Sequence, residues 1–127
     1  MAVRGKLDLS PAEMEIMEFL WGRKEGILAK DLLEEMNTIR GKEWKKQTLN
    51  TYLMLLHQKG LIDRISVERK YSYEAKMTKE EYEQGLLKDF IKTVYGGSMP
   101  KLLSAFVGIH AISEEEAEEI KKILEDK

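Results

Sequence analysis

The stretch from Glu43 to Tyr73 constrains the fold more than any other part of the chain. It reads as a helix from Trp44 to Lys59, stopped by Gly60, and then as a two-stranded ribbon, Leu61 to Val67 and Lys70 to Tyr73, turning at Glu68-Arg69. Leu49, Tyr52, Leu53 and Leu56 fall on one side of that helix at helical spacing, while Gln47, Thr51, Met54 and Gln58 fall on the other. An apolar back, an amide- and hydroxyl-bearing front and a basic hairpin after it suit insertion into a DNA major groove. Gln and Asn pair bidentately with adenine there, and Thr reaches a base or packs on a thymine methyl. Many purely structural helices also carry a Gln/Thr face, so the face alone does not decide.

Order along the chain narrows the choice. Ser10-Pro11-Ala12-Glu13 announces an upstream helix: Ser10 caps a free backbone N–H, Glu13 reaches back to the cap residue's own N–H, and Pro11 sits where its missing N–H costs nothing. This first helix runs to about Gly22, with Met14, Ile16, Met17, Phe19, Leu20 and Trp21 apolar. A second, from about Ala29 to Asn37, turns Leu32, Leu33 and Met36 inward. Three helices and a hairpin in this order describe a winged helix-turn-helix, mainly α with a small β wing.

The C-terminal half reads as helices only. Thr78-Lys79-Glu80-Glu81 is another capping box, opening a helix to about Tyr95 that Gly96-Gly97 ends. Ser98-Met99-Pro100 starts a short helix through Leu102, Leu103, Phe106 and Val107, and Ser113 to Glu116 caps a last one to about Leu124. These helices are too few and too narrowly apolar to form a monomeric core, so their stripes are expected to meet a second copy. The other possibility is that they fold back onto the winged domain.

Charge is distributed unevenly. The 127 residues carry a net charge of −2, which taken globally opposes nucleic-acid binding. From Thr38 to Tyr73, however, eight Lys/Arg stand against Glu43, Asp63 and Glu68, giving +5, whereas Glu74 to Lys127 has eight basic and twelve acidic residues, giving −4. A local basic surface is what phosphate contact needs, because each neutralised phosphate releases condensed counterions.

Composition excludes several classes. The length suits one ordinary domain, or a small domain plus an arm. With 43% hydrophobic and 35% charged residues there is no apolar run long enough for a membrane span, and no membrane insertion is expected. The N-terminus shows no signal-peptide pattern, and the absence of cysteine rules out disulfides and thiolate metal sites; a cytoplasmic location is expected. His57 and His110 are isolated, and glutamates 114 to 119 suit the first turn of a helix better than a cation, so no metal site and no cofactor are expected. Trp21 and Trp44 read as core or core edge. Tyr71 and Tyr73 project to one side of the returning strand and are expected to pack on the core. No phosphate loop, nucleophile elbow or zinc-protease motif is present; the chain reads as a non-enzyme without catalytic residues.

At these same residues the sequence resembles the penicillinase and methicillin-resistance repressors, the BlaI/MecI/CopY type, over nearly its whole length. The opening pattern of that family is matched by Leu9-Ser10, Glu13, Met17, Leu20 and Trp21, and its recognition helix by Trp44, Thr48, Thr51 and Lys59-Gly60-Leu61. Arg69, Tyr71, Tyr73 and Glu80-Glu81-Tyr82 look like its wing and following helix, and Gly96-Gly97-Ser98, Leu102-Leu103 and Phe106 like its C-terminal segment. There are departures. Lys45-Lys46-Gln47 stands where the family often has Ser-Pro-Lys, Leu55 where an Arg is common, and Leu28 where a capping Thr is common. The copper-sensing branch uses a C-terminal cysteine cluster, which this chain lacks.

The resemblance implies a homodimeric, sequence-specific repressor on an inverted-repeat operator of double-stranded DNA. Residues 1–75 are expected to form the winged-helix DNA-binding domain and residues 76–127 the helical dimerisation domain, with a recognition helix at 46–59 and a wing at 61–75. Lys45, Lys46, Gln47, Thr48, Asn50, Thr51, Met54, Arg69 and Lys70 are the candidate DNA contacts, and Leu86, Phe90, Leu102, Leu103 and Phe106 the candidate dimer contacts. The alternative is a winged-helix protein–protein interaction module without specific DNA readout. In the resembling repressors an inducing protease cuts an Asn-Phe bond in the arm. Here Ala105-Phe106 occupies that place, and a protease reading the Asn side chain would discriminate against Ala. Phe106 as an ordinary interface anchor is the reading favoured over a cleavage site.

Overall fold

The computed structural model describes residues 7–126. Its elements are α1 (Pro11–Trp21), β1 (Ile27–Leu28), α2 (Ala29–Thr38), α3 (Lys46–Gln58), β2 (Ile62–Val67), β3 (Lys70–Ala75), α4 (Lys79–Tyr95), α5 (Met99–Ile109) and α6 (Glu114–Glu125). The chain divides into two compact units, Met1–Leu87 and Lys88–Lys127, and the division falls inside α4.

The first unit is a winged helix-turn-helix. Ile16, Met17 and Leu20 of α1, Leu32 and Met36 of α2, and Leu49, Leu53 and Leu56 of α3 are buried together with Leu61 and Ile62. Burying each such side chain is worth about 1.5–3 kcal/mol, which makes this cluster the main source of stability. The sheet is antiparallel and three-stranded, in the order β1-β3-β2. The expected ribbon is therefore present, but β1 adds an edge, with Ile27 opposite Tyr73 and Leu28 opposite Ser72. Two residues are too few to show alternation, so this strand carries no sequence signal of its own. A Cβ added to Gly26 would collide with the Ser72 hydroxyl and lie 3.4 Å from the Tyr73 carbonyl oxygen, which accounts for the glycine beside that edge. Helix α3 starts at Lys46, later than the Trp44 expected from the sequence, because the Trp44 N–H and carbonyl are both taken by the Asn37 side chain.

The first turns of α4 also belong to this unit. Tyr82 is 5% exposed and its ring lies 5.4 Å from that of Trp21. The Trp21 indole N–H donates to the Met77 carbonyl at 2.9 Å. In the second unit Gly96 and Gly97 take φ of +60° and +84°, the left-handed conformation that ends α4. Helices α5 and α6 contain no buried residue.

Helix starts fall into two classes. Ser10, Thr78, Ser98 and Ser113 each accept a first-turn N–H at the starts of α1, α4, α5 and α6. Leu28 and Lys45, at the starts of α2 and α3, provide no side-chain cap.

One ion pair ties the start of α1 to the end of α3. Glu13 is 4% exposed, and its Oε2 accepts from Lys59 Nζ at 2.8 Å while its Oε1 accepts from the Ser10 N–H at 3.0 Å. Lys59 Nζ also donates to the Asp8 carbonyl at 3.2 Å. Burial pushes the Glu13 carboxyl up, but the hydrogen bonds from Lys59 and Ser10 outweigh it and hold the group below its ordinary value. A depressed native pKa contributes stability above the unfolded carboxylate value, and that contribution is lost as pH falls through the native one. Lys59→Met leaves the buried carboxylate without its cation. It is expected to cost about 3 kcal/mol at neutral pH, the low end for a broken buried pair because Lys59 is itself 24% exposed. Urea melts should show the gap from wild type closing as pH drops through the carboxylate range; an equal gap at pH 7 and pH 4 would count against the pair.

Candidate nucleic-acid interface

Rotation of α3 follows from its apolar stripe. With Leu49, Leu53 and Leu56 each at most 1% exposed, the opposite side must face outward. Gln47, Asn50, Thr51, Met54, His57 and Gln58 are all exposed there, and Lys45 and Lys46 are exposed at the helix start. Thr48 is only partly exposed and lies on the flank of the outer face. The Thr51 hydroxyl donates to the Gln47 carbonyl at 3.0 Å. What Thr51 offers outward is therefore a methyl group and an acceptor, a combination suited to a thymine methyl or a base amine.

The wing stands beside this face. Its register, Val67 opposite Lys70 and Arg64 opposite Tyr73, leaves Glu68 and Arg69 as a two-residue turn. Both have positive φ, 48° and 70°, the conformation of a tight hairpin turn that usually takes Asn-Gly. The tip thus presents an arginine where a glycine would be easier. Tyr73 is 7% exposed as expected, but Tyr71 is 48% exposed, a departure from the expected packing of both rings on the core. The strand continues past the end of the core, and the Arg64 guanidinium covers the Tyr71 ring instead, 4.3 Å from its centroid.

Between α3, the start of α2 and the wing lies a concavity of about 680 Å³. Leu33, Leu49, Leu53 and Tyr73 line its floor, and Lys30, Lys46, Arg64 and Lys70 its edges, together with Asn50, Met54, His57 and Tyr71; no carboxylate lines it. The uncapped start of α2 at Leu28 and Ala29 opens onto the same space and adds the positive end of a helix dipole.

The charge count from the sequence divides in two. Arg40, Lys42 and Lys59 pair with Glu18, Glu15 and Glu13 of α1, at 4.0, 2.5 and 2.8 Å. Only the Lys59 pair involves a buried carboxylate; the other two lie at the surface, where a pair is worth about 0–1 kcal/mol. Lys45, Lys46, Arg64, Arg69 and Lys70 have no ion pair among the described residues and form the outward basic surface. Arg64, Tyr71 and Lys30 extend the candidate site beyond the residues chosen from sequence. Counting back from the Glu68-Arg69 turn would have placed Arg64 diagonally from Tyr71 across the hairpin. Of the nine candidate DNA residues, Lys46, Asn50, Met54 and Lys70 line the concavity, Lys45, Gln47, Thr51 and Arg69 are exposed outside it, and Thr48 is half-buried. Of the candidate dimer residues, Leu86 lies in the first unit, while Phe90, Leu102, Leu103 and Phe106 lie in the second.

Known proteins agree with this architecture. The family described as penicillinase repressor matches residues 9–126. The methicillin resistance regulatory protein MecI of Mammaliicoccus sciuri is 31% identical over 94% of this chain and 95% of its own length. The penicillinase repressor of Staphylococcus aureus is 28% identical over 95% of this chain and 94% of its own. Among solved structures, the DNA-binding domain of the repressor BlaI superposes with a TM-score of 0.53 at 23% identity, over 62% of this chain and 93% of that one. The complex structure of hsRosR-S4 gives 0.53 at 18% identity, over 98% and 95%. These likenesses to solved structures establish the fold.

Arg69→Gly separates the two roles of the wing tip. Relief of about 1–2 kcal/mol of left-handed strain exceeds the roughly 0.5–1 kcal/mol that glycine loses in backbone entropy, so the variant should melt slightly higher. Affinity should fall alike for every duplex, with the slope of log K against log salt reduced by about one unit. An unchanged slope would mean that the tip does not meet phosphate.

Proposed function

Because the chain belongs to the penicillinase repressor family, whose members are DNA-binding transcriptional repressors and not enzymes, we propose that it acts as a homodimer on an inverted-repeat operator. The observation that carries this reading is the outward face of α3, polar and uncharged at Gln47, Asn50 and Thr51, set beside a basic concavity free of carboxylates. Gln47, Thr48, Asn50, Thr51 and Met54 meet base edges in this reading. Lys45, Lys46, Arg69 and Lys70 meet phosphates, joined by Arg64. Residues 1–75 carry the DNA contacts and 76–127 the assembly.

Exposed apolar side chains support the dimer. Leu86, Leu103 and Phe106 are 38–43% exposed, and Val107, Ile123 and Leu124 are 53–67% exposed. A second copy covers them at small cost, and linking two winged domains raises operator affinity by effective concentration. Phe106 serves as an anchor in that interface. The bond between Ala105 and Phe106 lies within α5, so a protease would have to open the helix first, which adds to the loss of the Asn that such an enzyme would read. No helix among the described residues is long and apolar enough to cross a membrane. We place the protein in the cytoplasm, where its operator is.

Replacing Gln47 or Asn50 by Ala should cost about 1–3 kcal/mol on a selected site and relax preference at one base pair, measured by anisotropy at two salt concentrations. Equal losses on selected and random duplexes would move the residue to the phosphate class. A fragment ending at Leu87 keeps Tyr82 on Trp21. It should stay folded, sediment as a monomer and lose the two-half-site enhancement; a monomeric full-length chain at micromolar concentration would defeat the dimer.

A further inference from the structure

The loop that delivers α3 is pinned by one side chain. Asn37, half-buried in the last turn of α2, uses both atoms of its amide on a single residue. The Trp44 N–H donates to Asn37 Oδ1 at 3.0 Å, and Asn37 Nδ2 donates to the Trp44 carbonyl at 3.0 Å. The Trp44 ring in turn lies 5.2 Å from that of Tyr52, tilted by 56°, on α3 itself. Trp44 is thus held by α2 through its backbone and holds α3 through its indole. Lys45 and Lys46 follow at once, then Gln47 and Asn50.

The rest of the connection is held at Arg40 and Lys42, by their ion pairs to Glu18 and Glu15 of α1, and not at the start of α3. Ile39 is 75% exposed, Gly41 has φ +68°, and the backbone returns to α2 by the Lys42 N–H donating to the Met36 carbonyl at 3.1 Å. Helix α3 has no side-chain cap of its own. Its first turn is therefore fixed from outside, at Trp44.

We infer that Asn37 is a positioning residue for base recognition. It sets the direction and height at which α3 leaves the loop, and so the placement of Gln47 and Asn50, without touching DNA itself. The chemistry asks for an amide. A primary amide supplies one acceptor and two donors in one plane, whereas a carboxylate accepts only and would set a negative oxygen against the Trp44 carbonyl. Leucine keeps the volume and makes neither bond. This inference rests on the DNA-reading assignment of α3.

The test uses the full chain, a duplex recovered by the wild type from a random-sequence pool, and a random duplex as control. Asn37→Leu should lose about ten- to a hundredfold on the selected duplex, because base contacts depend on placement, while random-duplex affinity stays within about twofold. The salt slope should not change. Asn37→Asp, which keeps the acceptor for the Trp44 N–H and loses the donor to its carbonyl, should fall between, and the Trp44 amide proton should lose exchange protection in the leucine variant. A variant that keeps the ratio of selected to random affinity, or that loses both affinities equally, overturns the role of Asn37. Should the leucine variant fail to fold, the aspartate variant decides by the same two affinities. A wild type that selects no sequence defeats the DNA-reading assignment itself and this inference with it.

Discussion

Burial of Leu49, Leu53 and Leu56 governs what the rest of the molecule can do. A helix packed by one stripe has a single free rotation about its own axis, and this stripe removes it. Everything the outer face presents follows from that choice, including the back-bonded Thr51 hydroxyl and the exposed Met54. The same three leucines pack against Ile16, Met17 and Leu20 of α1 and Leu32 and Met36 of α2, so the orientation of the face is set by a shared core rather than by local propensity. A change in that core is felt at the surface as a rotation.

Cations in this chain have two occupations that a charge count merges. Those beside α1 are paired with Glu13, Glu15 and Glu18 and tie the end of α3 and the α2–α3 loop to that helix. Those at the start of α3 and on the wing face outward. The separation is geometric: α1 lies behind α3, where Lys59 and the α2–α3 loop reach its carboxylates, whereas the wing projects beyond the core. Arg64 shows the boundary, since its guanidinium rests on an aromatic face and remains charged and exposed.

Legibility followed locality. Capped helix starts were readable because a capping box is a four-residue pattern, and both Ser10 with Glu13 and Thr78 with Glu81 form it, whereas uncapped α3 begins two residues later than its sequence suggests. The hairpin was readable because its turn dictates its register, with Val67 opposite Lys70. Contacts between residues distant in sequence were not. Nothing local marks Ile27–Leu28 as a strand, since it exists only against Tyr73 and Ser72. The Trp21 bond to Met77 joins elements 56 residues apart. Tyr71 and Tyr73 shared a periodicity but not an environment, because alternation assigns a face and cannot say where the core under that face ends.

Four helices close their own first turn with a hydroxyl, and α2 and α3 do not. A side-chain cap is worth about 1 kcal/mol, so the free protein stands below the stability that its backbone would allow. That shortfall sits at the start of α2, which lines the basic concavity at Leu28 and Ala29, and at Lys45, one residue before Lys46 at its edge. Serine at either position would supply the missing cap and stabilise the free fold. On the proposed DNA-binding reading a phosphate oxygen would take the place of that cap at Leu28, so the stability of the free fold and affinity would oppose one another there.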